Sequence, residues 1–304
     1  MSRNTSEMAI AMDVPREEAG PGLMSDLFVL TKARLNLMVI ITTFVGFCAA
    51  SGSSLNWLLL VNAVIGTTLA AGGAAVLNQV IESSVDRLME RTRFRPLPAG
   101  RVKCSHALIL GIAMSALGVV WLTVAVNSLS AILAAATVLI YVVAYTPLKR
   151  RTALCTIVGA ISGAIPPVIG WVSVKPSLDL GAWILFGILF TWQMPHFLAL
   201  AWMYRDEYAG AGFVMLRRDD VTGSKTAMDS LLYTLGLIVI TLIPYHAGMN
   251  GEIYLGGALL LDGIMLLFAV QFLIERERVS ARRLFFASIS FLPLILGLMV
   301  FTKA

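Results

Sequence analysis

Asn78-Gln79-Val80-Ile81-Glu82-Ser83-Ser84-Val85-Asp86-Arg87, running on through Arg91-Thr92-Arg93-Phe94-Arg95-Pro96, follows directly on an apolar run and crowds acids and bases together where a long span would end. Asn78, Glu82 and Asp86 recur every four residues. If the preceding helix continues, they climb one side of it, drifting about 80° and rising about 12 Å. Such a ladder offers two carboxylates and an amide, oxygen donors suited to a hard cation that keeps much of its water. Magnesium is usually held this way when a substrate phosphate completes its shell. A polar helix end with ordinary surface charges has the same pattern, so spacing alone leaves both readings open.

Outward from this stretch the chain is apolar. Hydrophobic residues make up 58% and charged residues 13% of its 304 positions, against about 25% charged in an ordinary soluble domain, which places it among integral membrane proteins. Apolar stretches of spanning length fall near 35–51, 57–77, 106–126, 129–147, 153–173, 182–203, 228–247, 253–274 and 284–302. The expected fold is therefore all-α: a polytopic bundle of nine predicted transmembrane helices around a central cavity open to the cytoplasmic side. Gly72-Gly73, Gly159 with Gly163, and Pro166-Pro167 interrupt these runs and favour close packing with local kinks. Residues 1–25 lack an apolar run and read as a disordered cytoplasmic tail, leaving 26–304 as a single membrane domain. The three cysteines, Cys48, Cys104 and Cys155, have no metal-type spacing and read as small apolar fillers.

With the N-terminus inside, 21 of the 23 Lys and Arg residues fall in the tail or in the loops after predicted spans 2, 4, 6 and 8; only Lys175 and Lys303 fall outside. The positive-inside rule then supports nine spans with a cytoplasmic N-terminus and an external C-terminus. The net charge of +5 thus sets topology and engages headgroups or an anionic substrate, with no nucleic acid implied. The long polar loops follow spans 2 and 6 and the short basic ones follow spans 4 and 8. This four-helix period hints at a duplicated unit and would bring both long loops over one cavity.

The second long loop carries Tyr204-Arg205-Asp206-Glu207-Tyr208-Ala209-Gly210-Ala211-Gly212, then Met215, Arg217, Arg218, Asp219 and Asp220. Taken singly it reads as solvated loop. Two such loops on one side fit an anionic diphosphate, for which Arg91, Arg93, Arg95, Lys149, Arg150 and Arg151 supply cations. Tyr145 and Lys149 are one helical turn apart and can face the same oxygens, while the Lys149-Arg150-Arg151 run equally serves as a topology marker. His196, in Trp192-Gln193-Met194-Pro195-His196-Phe197, lies inside a span, about 10 Å below its cytoplasmic end. An ionisable group there is costly, and three roles stay open: a neutral imidazole bonded to a neighbouring helix, a ligand to haem iron, or a proton-transfer group. Asp262 is also within a span and has no partner that the sequence names.

The ladder, Arg91-Thr92-Arg93-Phe94-Arg95-Pro96-Leu97, Tyr145-Thr146-Pro147-Leu148-Lys149-Arg150 and the nine spans resemble the intramembrane aromatic prenyltransferase superfamily. Thr31-Lys32-Ala33-Arg34, Pro166-Pro167-Val168-Ile169-Gly170-Trp171, Trp192 to Phe197, and Asp206 to Gly212 with Met215-Leu216 are similar to its protohaem IX farnesyltransferase, or haem O synthase, branch. The likeness is dense over 31–226 and continues mainly as pattern through the last three spans. The chain departs from that branch in having Glu82 and Ser84 where many bacterial members carry aspartates, and Ala33 in place of a frequent proline. Its second loop lacks the regular Asp-x-x-x-Asp of quinone-forming relatives, so Asp206 would act without a carboxylate pair.

The resemblance implies farnesyl transfer from farnesyl diphosphate to a vinyl group of haem b, with water added, giving haem O and diphosphate in a bacterial inner membrane. It implies Mg2+ as cofactor on Asn78, Glu82 and Asp86, with Lys149 and Asp206 as further catalytic groups. Arg91, Arg95, Tyr145, Arg150 and Arg34 would bind diphosphate, and His196 would contact the haem. Partners would be the two substrates, the lipid bilayer, and a haem A synthase or oxidase-assembly protein that takes the product. The alternatives are a quinone-type aromatic prenyltransferase, which would accept a phenol, and a membrane haem or ion transporter, which would form no product.

Overall fold

The computed structural model describes residues 22–52 and 54–303. In chain order its helices are α1 (Leu23–Leu30), α2 (Ala33–Ala50), α3 (Trp57–Asp86), α4 (Cys104–Ala125), α5 (Ser128–Leu139), a π-helical turn (Ile140–Tyr145), α6 (Thr146–Leu148), α7 (Cys155–Val174), α8 (Leu180–Met203), α9 (Arg205–Gly210), α10 (Ser224–His246), α11 (Glu252–Glu275) and α12 (Arg278–Phe301). Among the described residues nine helical stretches are long and apolar enough to cross a membrane, with α5, the π-turn and α6 forming one of them. They correspond to the nine predicted from hydropathy. Of the tail expected over 1–25, residues 1–21 lie outside the described region, whereas Leu23 onward is helical. This short helix is tied down by Asp26, buried against Arg101 at 2.8 Å.

Local signals explain the element ends. Asn56 accepts from the Leu59 N–H, Asn127 from that of Ser130, and Asp179 from those of Gly181 and Ala182. Each thereby satisfies donors that a helix start leaves unpaired. Glu277 and Ser280 form a capping box at α12. The most telling difference from expectation is α3, which runs nine residues past the predicted end at 77 and carries the polar ladder within the helix. Its 30 residues span about 45 Å, more than the roughly 30 Å of hydrocarbon. The ladder end therefore stands at one polar face.

The bundle is drawn together by small residues. α3 packs extensively on α4, α2 on α7, and α8 on both α7 and α10. A Cβ on Gly46 would fall 1.9 Å from Pro167 O and one on Gly170 2.0 Å from Thr43 O, so α2 and α7 touch backbone to backbone. Glycine is required at that crossing by sterics, since no side chain fits the gap. Around α8 the main core gathers Trp171, Leu185, Ile188, Trp202, Tyr254, Phe272 and Phe291.

Candidate active site

The three ladder residues share the buried side of α3: Asn78, Glu82 and Asp86 are 0%, 6% and 2% exposed. Each meets a base from another segment. Lys32 Nζ donates to Asn78 Oδ1, Lys149 Nζ stands 2.8 Å from Glu82 Oε1, and Arg95 donates to Asp86 Oδ2 at 2.8 Å. The surface-charge reading of this stretch therefore fails, because buried acids of a solvated helix end would have neither this cover nor these partners. The Lys149 contact is close, yet its angles leave Glu82 Oε1 without a directed hydrogen bond.

The π-turn supplies the opposite wall. π-turns cluster at functional positions because the extra residue re-aims side chains. Here Thr146 Oγ1 donates to Tyr141 O at 2.7 Å and accepts from Asn78 Nδ2 at 3.0 Å, locking the turn to the ladder. Tyr141 and Tyr145 lie ring to ring at 5.1 Å, and Lys32 Nζ donates to the Tyr141 hydroxyl at 3.2 Å. The Tyr145 ring occupies the space over Gly159, where an added Cβ would come within 2.8 Å of it. Lys149 Nζ sits 4.6 Å from the Tyr145 ring centre and 5.9 Å from that of Phe213, favourable positions for a cation. Burial alone would lower the Lys149 pKa; neighbouring Tyr145 and Glu82 outweigh it and hold the ammonium above the ordinary lysine range.

The second polar loop closes over the same end. Val214 N–H donates to Lys149 O, and Ala211, Phe213, Tyr208 and Met215 pack on Val85 and Met89 beyond the ladder. Both long loops thus share one face, as their position in the sequence suggested. Within this loop Asp206 does not reach the site. Its side chain is 96% exposed and stands 3.6 Å from Arg205, because α9 turns that position outward. Glu207 faces inward instead, with Oε1 covered and unpartnered among the described residues. Asp220, also buried, caps α10 by accepting from Lys225 N, Thr226 N and Thr226 Oγ1, a structural task.

Among the proposed diphosphate ligands the structure brings Arg95 and Tyr145 to the ladder, while Arg34, Arg91 and Arg150 are exposed. Lys32 takes the place expected for Arg34. It interrupts α1 and α2 in the left-handed conformation (φ 48°), and that break swings its side chain inward while Arg34, a residue into α2, points out. Gln79 holds the break, donating to Val29 O at 2.9 Å and Leu30 O at 2.7 Å. Lys32, Tyr141 and Glu207 are the functional candidates that sequence reasoning missed. For Tyr141 a signal existed, since Tyr141, Tyr145 and Lys149 recur every four residues. Ser84 is exposed, so an aspartate there would not join the buried oxygens.

His196 lies on α8 against α12. Its ring stacks between Trp192 and Phe285 at 5.1 and 4.6 Å, and Nδ1 pairs with Ser288 Oγ at 2.8 Å. Trp192 Nε1 donates to Ser288 O at 2.7 Å. The imidazole is thus oriented through one nitrogen, and among the described residues Nε2 has no protein partner and is not sealed off.

As to metal, among the described residues no three His, Cys, Asp or Glu side chains converge on one point. Two carboxylates and an amide on one helix face do not make a closed cage. They suit a magnesium ion that takes its remaining ligands from water and phosphate oxygens, so the donor set fits on condition that a phosphorylated substrate is present.

The model of the UbiA prenyltransferase family matches residues 39–292. The chain is 43% identical over 289 residues to a protoheme IX farnesyltransferase of Solibacter usitatus (strain Ellin6076), covering 92% of this chain and 99% of that protein. It is 39% identical over 289 residues to one of Aquifex aeolicus (strain VF5), with coverages of 94% and 97%. Among solved structures, a digeranylgeranylglyceryl phosphate synthase superposes with a TM-score of 0.78 at 16% identity, over 91% of this chain and 97% of that one. A UbiA homolog from Archaeoglobus fulgidus bound to GPP and Mg2+ does so with a TM-score of 0.66 at 12% identity, over 90% and 99%.

Proposed function

This chain belongs to the UbiA prenyltransferase family, and we propose on that premise that it transfers a farnesyl group from farnesyl diphosphate to a vinyl group of haem b, with addition of water, releasing haem O and diphosphate. The near full-length identity to protoheme IX farnesyltransferases supports the acceptor. The observation that carries the chemistry is the buried ladder, whose every member already faces a base. Nothing of the kind is needed to transport a solute or to bind a phenol alone.

When bound, Mg2+ would supply positive charge to the diphosphate oxygens, held by Asn78, Glu82 and Asp86. Lys32, Lys149 and Arg95 do the remaining electrostatic work. Paired with the ladder before substrate arrives, they are pre-positioned, and reorganisation costs little when they turn to the phosphates. Their value rises as negative charge grows on the departing diphosphate, so they lower the barrier and not merely the binding energy. Lys149, kept protonated by its surroundings, remains a cation across the working pH range. Tyr141 and Tyr145 place aromatic faces beside these cations, and the apolar interior shields the allylic carbon from early capture by water. Attack by the vinyl carbon leaves a cation next to the porphyrin ring; water adds to that carbon and releases its proton to solvent or to the departed diphosphate, leaving the hydroxyl. His196 offers Nε2 to the haem, oriented by Ser288 and the two flanking rings. Arg91, Arg150 and Arg34, exposed at the same end or near it, act on substrate approach and not on the departing phosphates, and Asp206 is at most a peripheral contact.

The one-sided basic loops make the ladder face cytoplasmic, with the N-terminus inside and the C-terminus external, in a bacterial inner membrane. A haem A synthase or oxidase-assembly protein would take the product. Purified protein given haem b, farnesyl diphosphate and Mg2+ should yield a haem heavier by one farnesyl group plus water. An unmodified haem, where a control enzyme works, sinks the proposal, and a prenylated phenol in its place would favour the quinone-type reaction.

A further inference from the structure

On the outside of the bundle α11 and α12 flank a groove of about 550 Å³, lined on the α12 side by residues other than Phe285 and Ser288, which meet His196. Ile264, Met265 and Phe268 of α11 face Val279, Phe286 and Leu294 of α12 across it. From Val279 to Leu294 it runs about 22 Å along the helix, past the middle of a roughly 30 Å hydrocarbon core. Arg282 and Arg283 stand where it begins. That end belongs to the ladder face, because Trp202 at the end of α8 donates to Arg276 O at 3.1 Å and Arg278 lies over the Tyr204 ring.

The charge at the mouth is unbalanced. Arg282 has no carboxylate partner among the described residues, and its guanidinium rests 5.5 Å from the Phe286 ring centre at the groove wall. Arg283 reaches Glu275 only at 4.0 Å and is half exposed, a pairing worth little. We propose that this groove binds an anionic phospholipid of the bilayer, with an acyl chain along the apolar walls and its phosphate on Arg282 and Arg283. Basic pockets between membrane helices on the cytoplasmic side hold such headgroups. A zwitterionic lipid would bring its own cation against two arginines. A prenyl diphosphate is less well matched, since the two acids at this mouth, Glu275 and Glu277, lie in the α11–α12 turn, Glu277 capping α12, and form no oxygen ladder. The inference rests on the membrane fold and not on the proposed reaction.

Native mass spectrometry of the full chain, offered phosphatidylglycerol and phosphatidylcholine in equal amounts, tests it. The expected result is one retained phosphatidylglycerol, preferred roughly 30-fold for its two arginine contacts, a ratio equal to about 2 kcal/mol. Arg282→Ala with Arg283→Ala should abolish that preference. Ala287→Trp, which keeps both arginines and fills the groove, should release the lipid as well, and this variant decides the matter if the double replacement does not fold. Equal retention of the two lipids, or a preference unchanged in the variants, overturns the proposal. So does displacement of the lipid by stoichiometric farnesyl diphosphate, or a dimer that covers the groove and carries no lipid.

Discussion

Glu82 and Asp86 on α3 and Asp206 and Glu207 on α9 look alike as sequence, each an acid pair among bases just beyond an apolar span, yet they have opposite fates in the fold. α3 continues as a helix through its acids, so their four-residue spacing is kept and both enter the interior, each against a base. After α8 the helix breaks at Tyr204, and the adjacent acids of α9 are divided: Asp206 outward and 96% exposed, Glu207 inward with its Oε1 unpartnered among the described residues. An acid is thus recruited by the continuity of the backbone beneath it and not by its local composition. The first pair has the means to meet phosphate and metal. The second loop serves chiefly as a cover, through Phe213 over Lys149 and the Val214 hydrogen bond to Lys149 O.

The contrast breaks most readily at the ladder. Asp86→Ala, and separately Glu82→Gln, should lower kcat by about 100-fold or more, the scale on which losing one transition-state stabilising group is felt. The protein should remain inserted, which a membrane-fraction blot alongside product assay would check; near-normal turnover would reduce both acids to ion-pair partners of Arg95 and Lys149. Chelation sharpens the same point. Removing divalent metal should bring turnover to background with folding intact, and Mg2+ should restore it. Because the donor set is completed by phosphate, calorimetry should find Mg2+ binding weak alone and strong with farnesyl diphosphate.

A smaller effect separates two bases two positions apart at the start of α2. Lys32→Met should cost roughly 30-fold in kcat/KM, the equivalent of a charged hydrogen bond of about 2 kcal/mol, whereas Arg34→Met should stay within about 2-fold, as for ordinary surface changes. Equal losses would mean that the inward turn at Lys32 is not what matters. The second loop should respond less than Lys32. Glu207→Gln should change turnover by about 10-fold or less, and Asp206→Asn hardly at all, each substitution being worth at most the 1.4 kcal/mol of a tenfold step. A large loss at Asp206 measured under saturating substrates would restore the second acid pair to the chemistry.

Much of this could be read without coordinates. Nine spans, their loop charges and the one-sided ladder follow from local composition and period, and among the described residues the structure has nine helical stretches of spanning length and keeps the ladder on one buried side. Less legible were the choices between near neighbours. Lys32 and Arg34 are equivalent as cations, but only a left-handed break held by Gln79 decides which one turns in. Tyr141 is legible only through its four-residue spacing to Tyr145 and Lys149, and the resemblance that points to Asp206 carries no information on exposure, which separates it from Glu207.

Hydrophobic length and periodicity are local quantities, fixed by the water–lipid boundary acting on each stretch separately, and so the chain by itself determined that it is a nine-span bundle with an oxygen ladder at one end of its second span. Which bases oppose those oxygens is not local. Lys32 meets Asn78 across 46 positions and Thr146 meets it across 68. Those pairings exist only once helices far apart in sequence have packed and buried charges have had to find partners, and that packing, with the broken helix ends it stabilises, is what the tertiary structure decided.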